Sequence, residues 1–188
     1  MDDNSATIRR DFAAERALKT LTQASPQLAS VSDGVQLKLK QVSEQLNNHA
    51  ASANQAAFAQ LKALAEGAVR EGPVLFISER HLVTFHQINV PLVPEYELVT
   101  LMEMAMSNNQ VYLQQFYADL RNHRFAAIVA GKQNVGLKEE GLFADENNVW
   151  NARVSPYILC YYEPNTEIDT NQSKIEFYLP RTEPVSCP

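Results

Sequence analysis

The sequence predicts an α/β protein: a Rossmann-like parallel-sheet core, preceded by a helical N-terminal segment and closed by a C-terminal antiparallel hairpin. Three observations carry this. Composition changes near residue 72: fifteen alanines, two aromatics and one proline precede it, and fourteen aromatics and eight prolines follow. Two apolar runs in the second part, Val74–Ile77 and Phe125–Ala130, are too continuous for half-exposed strands. Between them lie two helical patterns, and strand, two helices, strand is a crossover unit that makes parallel pairs. The organisation is therefore 1–71 helical, 72–181 α/β and 182–188 tail.

The elements follow in order. Ser5 and Thr7 can cap a helix reaching about Leu21, and Ser25-Pro26 and Ser32-Asp33-Gly34 punctuate the chain after it. Leu39, Val42 and Leu46 have the 3–4 spacing of an amphipathic helix. Ser52-Ala53-Asn54-Gln55 fits a capping box opening a further helix, with Phe58, Leu61, Leu64, Ala65 and Val69 on one face. Gly72-Pro73 ends it. Val74–Ile77 and Phe125–Ala130 are expected as adjacent central parallel strands. Val90-Pro91-Leu92-Val93-Pro94 reads as a short edge strand, because proline cannot donate to a ladder.

Leu98, Leu101, Met102, Ala105 and Met106 form a helical stripe, and most of the Met102, Met104 and Met106 cluster reads as packing. Ser107-Asn108-Asn109 breaks that helix, and the next carries Leu113, Phe116, Tyr117 and Leu120. Residues 132–148 read as a long surface loop. Strands over 157–162 and 174–179, with a turn begun by Glu163-Pro164-Asn165, make the hairpin.

The formal net charge is −6, which disfavours a nucleic-acid partner held by phosphate contacts. Acidic residues outnumber basic ones fifteen to eight after residue 70, whereas the first 70 residues hold eight basic and seven acidic side chains. The apolar stretches fall far short of the roughly 20 residues needed to cross a bilayer, so direct membrane insertion is not expected. The polar start Met1-Asp2-Asp3 is unlike a signal peptide. That leaves open a piece of a longer membrane protein. Cys160 sits in an apolar run and reads as a buried strand residue. Cys187 lies in a Pro-rich tail too frayed to hold a disulfide, so the two are expected to stay unpaired.

Ligands of α/β sheets bind outside the carboxyl ends of parallel strands. That rule points to Ser78, Glu79, Arg80 and His81, which supply a hydroxyl, a carboxylate, a guanidinium and an imidazole. The competing and preferred reading is local: Ser78 caps a short helix containing Leu82, Val83 and Phe85. No G-x-G-x-x-G or P-loop glycines follow the strand, so no nucleotide cofactor is expected. His81 and His86 are five apart, His49 lies in a polar stretch and His123 ends a helix, so no metal site is legible. Glu139-Glu140 and Asp145-Glu146 read as solvated pairs. Asn171-Gln172-Ser173 matches a glycosylation sequon, a pattern common by chance.

The stretches GPVLFISERHLVTF, VPLVPEYELVTLMEMAM and YLQQFYADLRNHRFAAIVA, with the later YYEP and YLPR, form an ordered set. Over about residues 72–181 the chain resembles the soluble C-terminal portion of bacterial multi-pass membrane glycosyltransferases of the GT-C superfamily, relatives of dolichyl-phosphate-mannose protein mannosyltransferases. The resemblance implies an extracytoplasmic, non-catalytic module whose partner is a membrane-embedded portion of the same parent. The catalytic acid of that superfamily lies near membrane helices that have no counterpart here, so no catalytic residue carries over. The alternative is a free-standing, cytoplasmic α/β enzyme or ligand-binding protein using the 78–81 turn.

Overall fold

The computed structural model describes residues 26–169, 174–183, 185 and 187, without the side chains of 26–34, 46, 49 and 50. The helix expected over residues 5–21 and the sequon lie outside the described residues. Chain contacts define two units, Met1–Ser52 and Ala53–Pro188.

Helix α1 runs from Pro26 to Ala68 without a break. Neither Ser32-Asp33-Gly34 nor the expected capping box at Ser52 interrupts it. Ser, Asp and Asn cost about 0.5 kcal/mol each in a helix interior and Gly34 about 1, amounts that the alanine-rich remainder of a 43-residue helix offsets. In the first unit, Leu39 and Val42 of the expected amphipathic stripe are exposed, and the Leu46 side chain lies outside those described.

In the second unit, Ala57, Leu61 and Ala65 are buried, with Phe58, Leu64 and Val69 packed beside them, as their spacing requires. They cover one face of a four-stranded sheet of β1 (Val74–Phe76), β2 (Ala127–Gly131), β3 (Tyr162–Asp169) and β4 (Lys174–Pro180), ordered β1-β2-β4-β3. Helix α2 (His81–Thr84), α3 (Leu98–Met106) and α4 (Gln110–Arg121) connect β1 to β2, and α5 (Ala144–Arg153) and α6 (Ser155–Tyr161) precede β3.

β1 and β2 pair in parallel, Val74 opposite Ala127 and Phe76 opposite Val129, as the crossover unit demands. The other two pairings are antiparallel. The sheet is therefore mixed, and β1 is one of its two edge strands, not a central one as expected. Its apolar run is nevertheless buried on both faces, as the continuous pattern predicts. Val74 and Phe76 meet α1, whereas Leu75 and Ile77 join Leu101, Ala105, Phe116 and Leu120 beneath α3 and α4.

Three further expectations are corrected. Residues 90–94 form no strand: Val90 and Val93 are buried, but Pro91 and Pro94 lack the donors a ladder needs. The run at 157–162 is mostly helix α6, with Pro156 in its first turn, where the missing N–H costs nothing. Cys160 is buried as expected, in a helix instead of a strand. Glu163-Pro164-Asn165 belongs to β3, an edge strand with an irregularity between Pro164 and Thr166, and such a position tolerates proline. The β3–β4 connection lies beyond Asp169.

Cys160 and Cys187 form a disulfide, which the sequence reading did not expect. Nearby, Arg181 is buried enough to donate from Nε to Leu159 O at 3.0 Å, and its Nη1 meets Glu163 at 2.8 Å. The chain after β4 is thus held against α6 before the bridge closes.

Candidate functional site

A cleft of about 360 Å³ opens at the carboxyl ends of the parallel pair β1 and β2, beside α3 and α5. Ile77, Leu98, Met102 and Trp150 supply its apolar wall. Ser78, Lys132, Gln133, Asn134, Lys138, Asn147 and Asn151 supply its polar one. The volume lies at the small end of the range for organic ligands.

The floor is built around Gln133, which is buried. Its backbone N–H donates to the Tyr178 hydroxyl at 2.9 Å. Its side-chain Nε2 donates to Gly131 O at 2.7 Å. Its Oε1 accepts from Trp150 Nε1 at 3.0 Å and from Ser155 Oγ at 2.8 Å. All of these groups lie in the same place because β2 ends there, β4 returns alongside it, and α5 and α6 cross above. The Tyr178 hydroxyl donates in turn to the buried Glu176 carboxylate. Burial, reinforced by that carboxylate, pushes the Tyr178 phenol far above its ordinary pKa, so it remains a proton donor at neutral pH.

Segment 132–143 forms the outer wall, fixed by two asparagines of α5. Asn148 Oδ1 accepts from Lys138 N and its Nδ2 donates to Lys138 O, both at 2.8 Å. Asn151 Nδ2 donates to Gly136 O at 2.6 Å. The expected loop is therefore shorter than 132–148, since α5 begins at Ala144, with Asp145 and Glu146 in the first turn, where carboxylates complement the helix dipole.

Of the four residues singled out in the sequence, only Ser78 lines the cleft. It caps no helix. Its Oγ accepts from Gly131 N at 3.2 Å, tying the end of β1 to the end of β2. Glu79 adopts φ 56°, a left-handed conformation that turns the chain away into α2. Arg80 donates to Pro94 O at 3.0 Å, and His81 lies 3.8 Å from Glu79. The imagined acid–base set is thus dispersed: the turn separates its hydroxyl from its carboxylate and imidazole.

A second polar centre lies under α4. Asp119 accepts from Tyr96 and Arg124, both at 2.7 Å, and from Gln115 at 3.1 Å. This network anchors the proline-rich segment before α3.

Sequence reasoning applied the strand-end rule to β1 and not to β2. Applied to β2, it points at Gly131-Lys132-Gln133-Asn134, four of the cleft residues. The α5 contributors, Asn147, Trp150 and Asn151, carried no comparable signal. Among the described residues, no cluster of His, Cys, Asp and Glu could hold a metal ion, and no helix is long and apolar enough to cross a membrane. Comparison with protein-family models, curated proteins and solved structures finds no match.

Proposed function

We propose that this chain is a non-catalytic recognition module that takes a small polar ligand into the cleft at the ends of β1 and β2. In the setting implied by the resemblance, it serves a membrane glycosyltransferase-like parent as an extracytoplasmic arm, its chemistry residing in the membrane-embedded portion. The observation that carries the binding reading is the cleft itself. Its floor is fixed in advance by the four hydrogen bonds of Gln133, so little ordering accompanies binding.

Two further features support the module. Ser78, the one hydroxyl nucleophile in the lining, is engaged by a backbone N–H and not by a base. The Cys160–Cys187 disulfide suits an oxidising, extracytoplasmic compartment.

The chain's single tryptophan lines the cleft, so its fluorescence reports occupancy directly. The purified chain, incubated with lipid-linked and nucleotide sugars, is expected to leave them intact. Turnover abolished by Ser78→Ala would instead establish a free-standing enzyme, the reading that the position of Ser78 in the cleft favours.

A further inference from the structure

We infer that the ligand is a small organic anion of the phosphate, sulfate or carboxylate class, its charge held by Lys132 and Lys138 and its apolar part against Trp150. The inference rests on the cleft being a binding site and adds the chemistry of what enters it.

Gln133 Oε1 is occupied twice, and its Nε2 once. Asn151 spends a donor on Gly136 O. The Asn134 carbonyl accepts from Gly136 N at 2.8 Å, leaving its Nδ2 available. Ser78 Oγ accepts from Gly131 N, leaving its O–H free to donate. Asn147, and Asn151 through its Oδ1, can still accept, but donors outnumber these acceptors: the Ser78 hydroxyl, the Asn134 and Asn147 amide N–H₂ groups and two ammonium groups. A donor-rich wall complements an acceptor-rich, negatively charged guest.

Charge agrees with this. No carboxylate lines the cleft, although this part of the chain carries fifteen acids to eight bases. Among the described residues, neither lysine lies within ion-pair distance of a carboxylate. Glu167, on the edge strand β3, is already paired to Lys174 at 2.7 Å. Glu139 and Glu140 adjoin Lys138 in an exposed stretch outside the lining. The apolar wall of Leu98, Met102 and Trp150 stands beside these donors. A bare inorganic anion would leave it unused.

The test is a Trp150 fluorescence titration of the full chain with phenyl phosphate, inorganic phosphate and neutral benzyl alcohol. Phenyl phosphate is expected to bind at least about tenfold more tightly than either other probe, and added salt should weaken it. The Lys132→Gln/Lys138→Gln variant, its fold checked by circular dichroism, should lose that advantage over benzyl alcohol. Benzyl alcohol binding as well as phenyl phosphate would overturn the anion inference and leave the cleft reading intact. Inorganic phosphate matching phenyl phosphate would overturn the apolar half. No response to any probe would overturn both the inference and the cleft as a binding site.

Discussion

Leu101 and Asp119 show how single side chains hold the second unit together by different means. Leu101 is fully buried between α3 and the sheet. Leu101→Ala removes its apolar surface and leaves a cavity, and chemical denaturation should show a loss of about 2–5 kcal/mol. Asp119 works through charge. Burial alone would raise its pKa, but hydrogen bonds from Tyr96, Arg124 and Gln115 outweigh that and hold the carboxyl below its ordinary value. A lowered native pKa stabilises the fold above the ordinary carboxyl value of 3.8, and that contribution disappears as pH falls below it. Asp119→Asn should therefore cost about 2 kcal/mol at neutral pH and flatten the acid limb of a stability–pH profile. An unchanged acid limb would show that other carboxylates control it.

At the scale of elements, the cleft depends on how segment 132–143 is fastened to α5. Asn148 makes a reciprocal pair of bonds with the Lys138 backbone, much as one strand residue pairs with another. Asn148→Ala deletes both and should release the segment without unfolding the sheet, at a cost of about 1 kcal/mol. Limited proteolysis checks this. Tryptic cleavage after Lys138 should become several-fold faster, while the rate of global unfolding changes little. Legibility also differs by element. α3, α4 and the parallel pair could be read because each has a single apolar pattern at one period. α6 could not, since a seven-residue apolar helix and a buried strand look alike, and only its packing against Tyr117 and the sheet separates them.

For the whole molecule, the decisive unforeseen feature is the disulfide, which closes a loop across 27 residues from α6 to the tail. Cross-links over such loops stabilise mainly by limiting the unfolded chain. Cys187→Ser should accordingly lower stability by about 3 kcal/mol, measured against the oxidised parent, and a reducing agent should reproduce that loss in the parent but not in the variant. Equal stability of all three forms would show that the tail contributes nothing. The tail looked too frayed to be bridged because nothing local holds it. The anchoring residue, Arg181, binds Leu159 O, a group 22 residues away, and no local pattern reveals such a contact.

What the sequence by itself determined is the set of properties written in near-neighbour spacing. These include the change from alanine-rich helix to mixed α/β chain, the crossover unit, and the buried faces Leu61–Ala65 and Leu113–Leu120. Such patterns are local because one helix or strand presents its apolar side whatever it packs against. Only the tertiary structure decided that β4 enters beside β2 to make the sheet mixed, that Cys160 meets Cys187, and that Lys132, Lys138 and Trp150 share one cleft. Those outcomes depend on contacts between residues far apart in the chain. Gln133 and Ser155, 22 positions apart, meet at 2.8 Å only because β2 and α5 end, and α6 begins, at the same corner of the sheet.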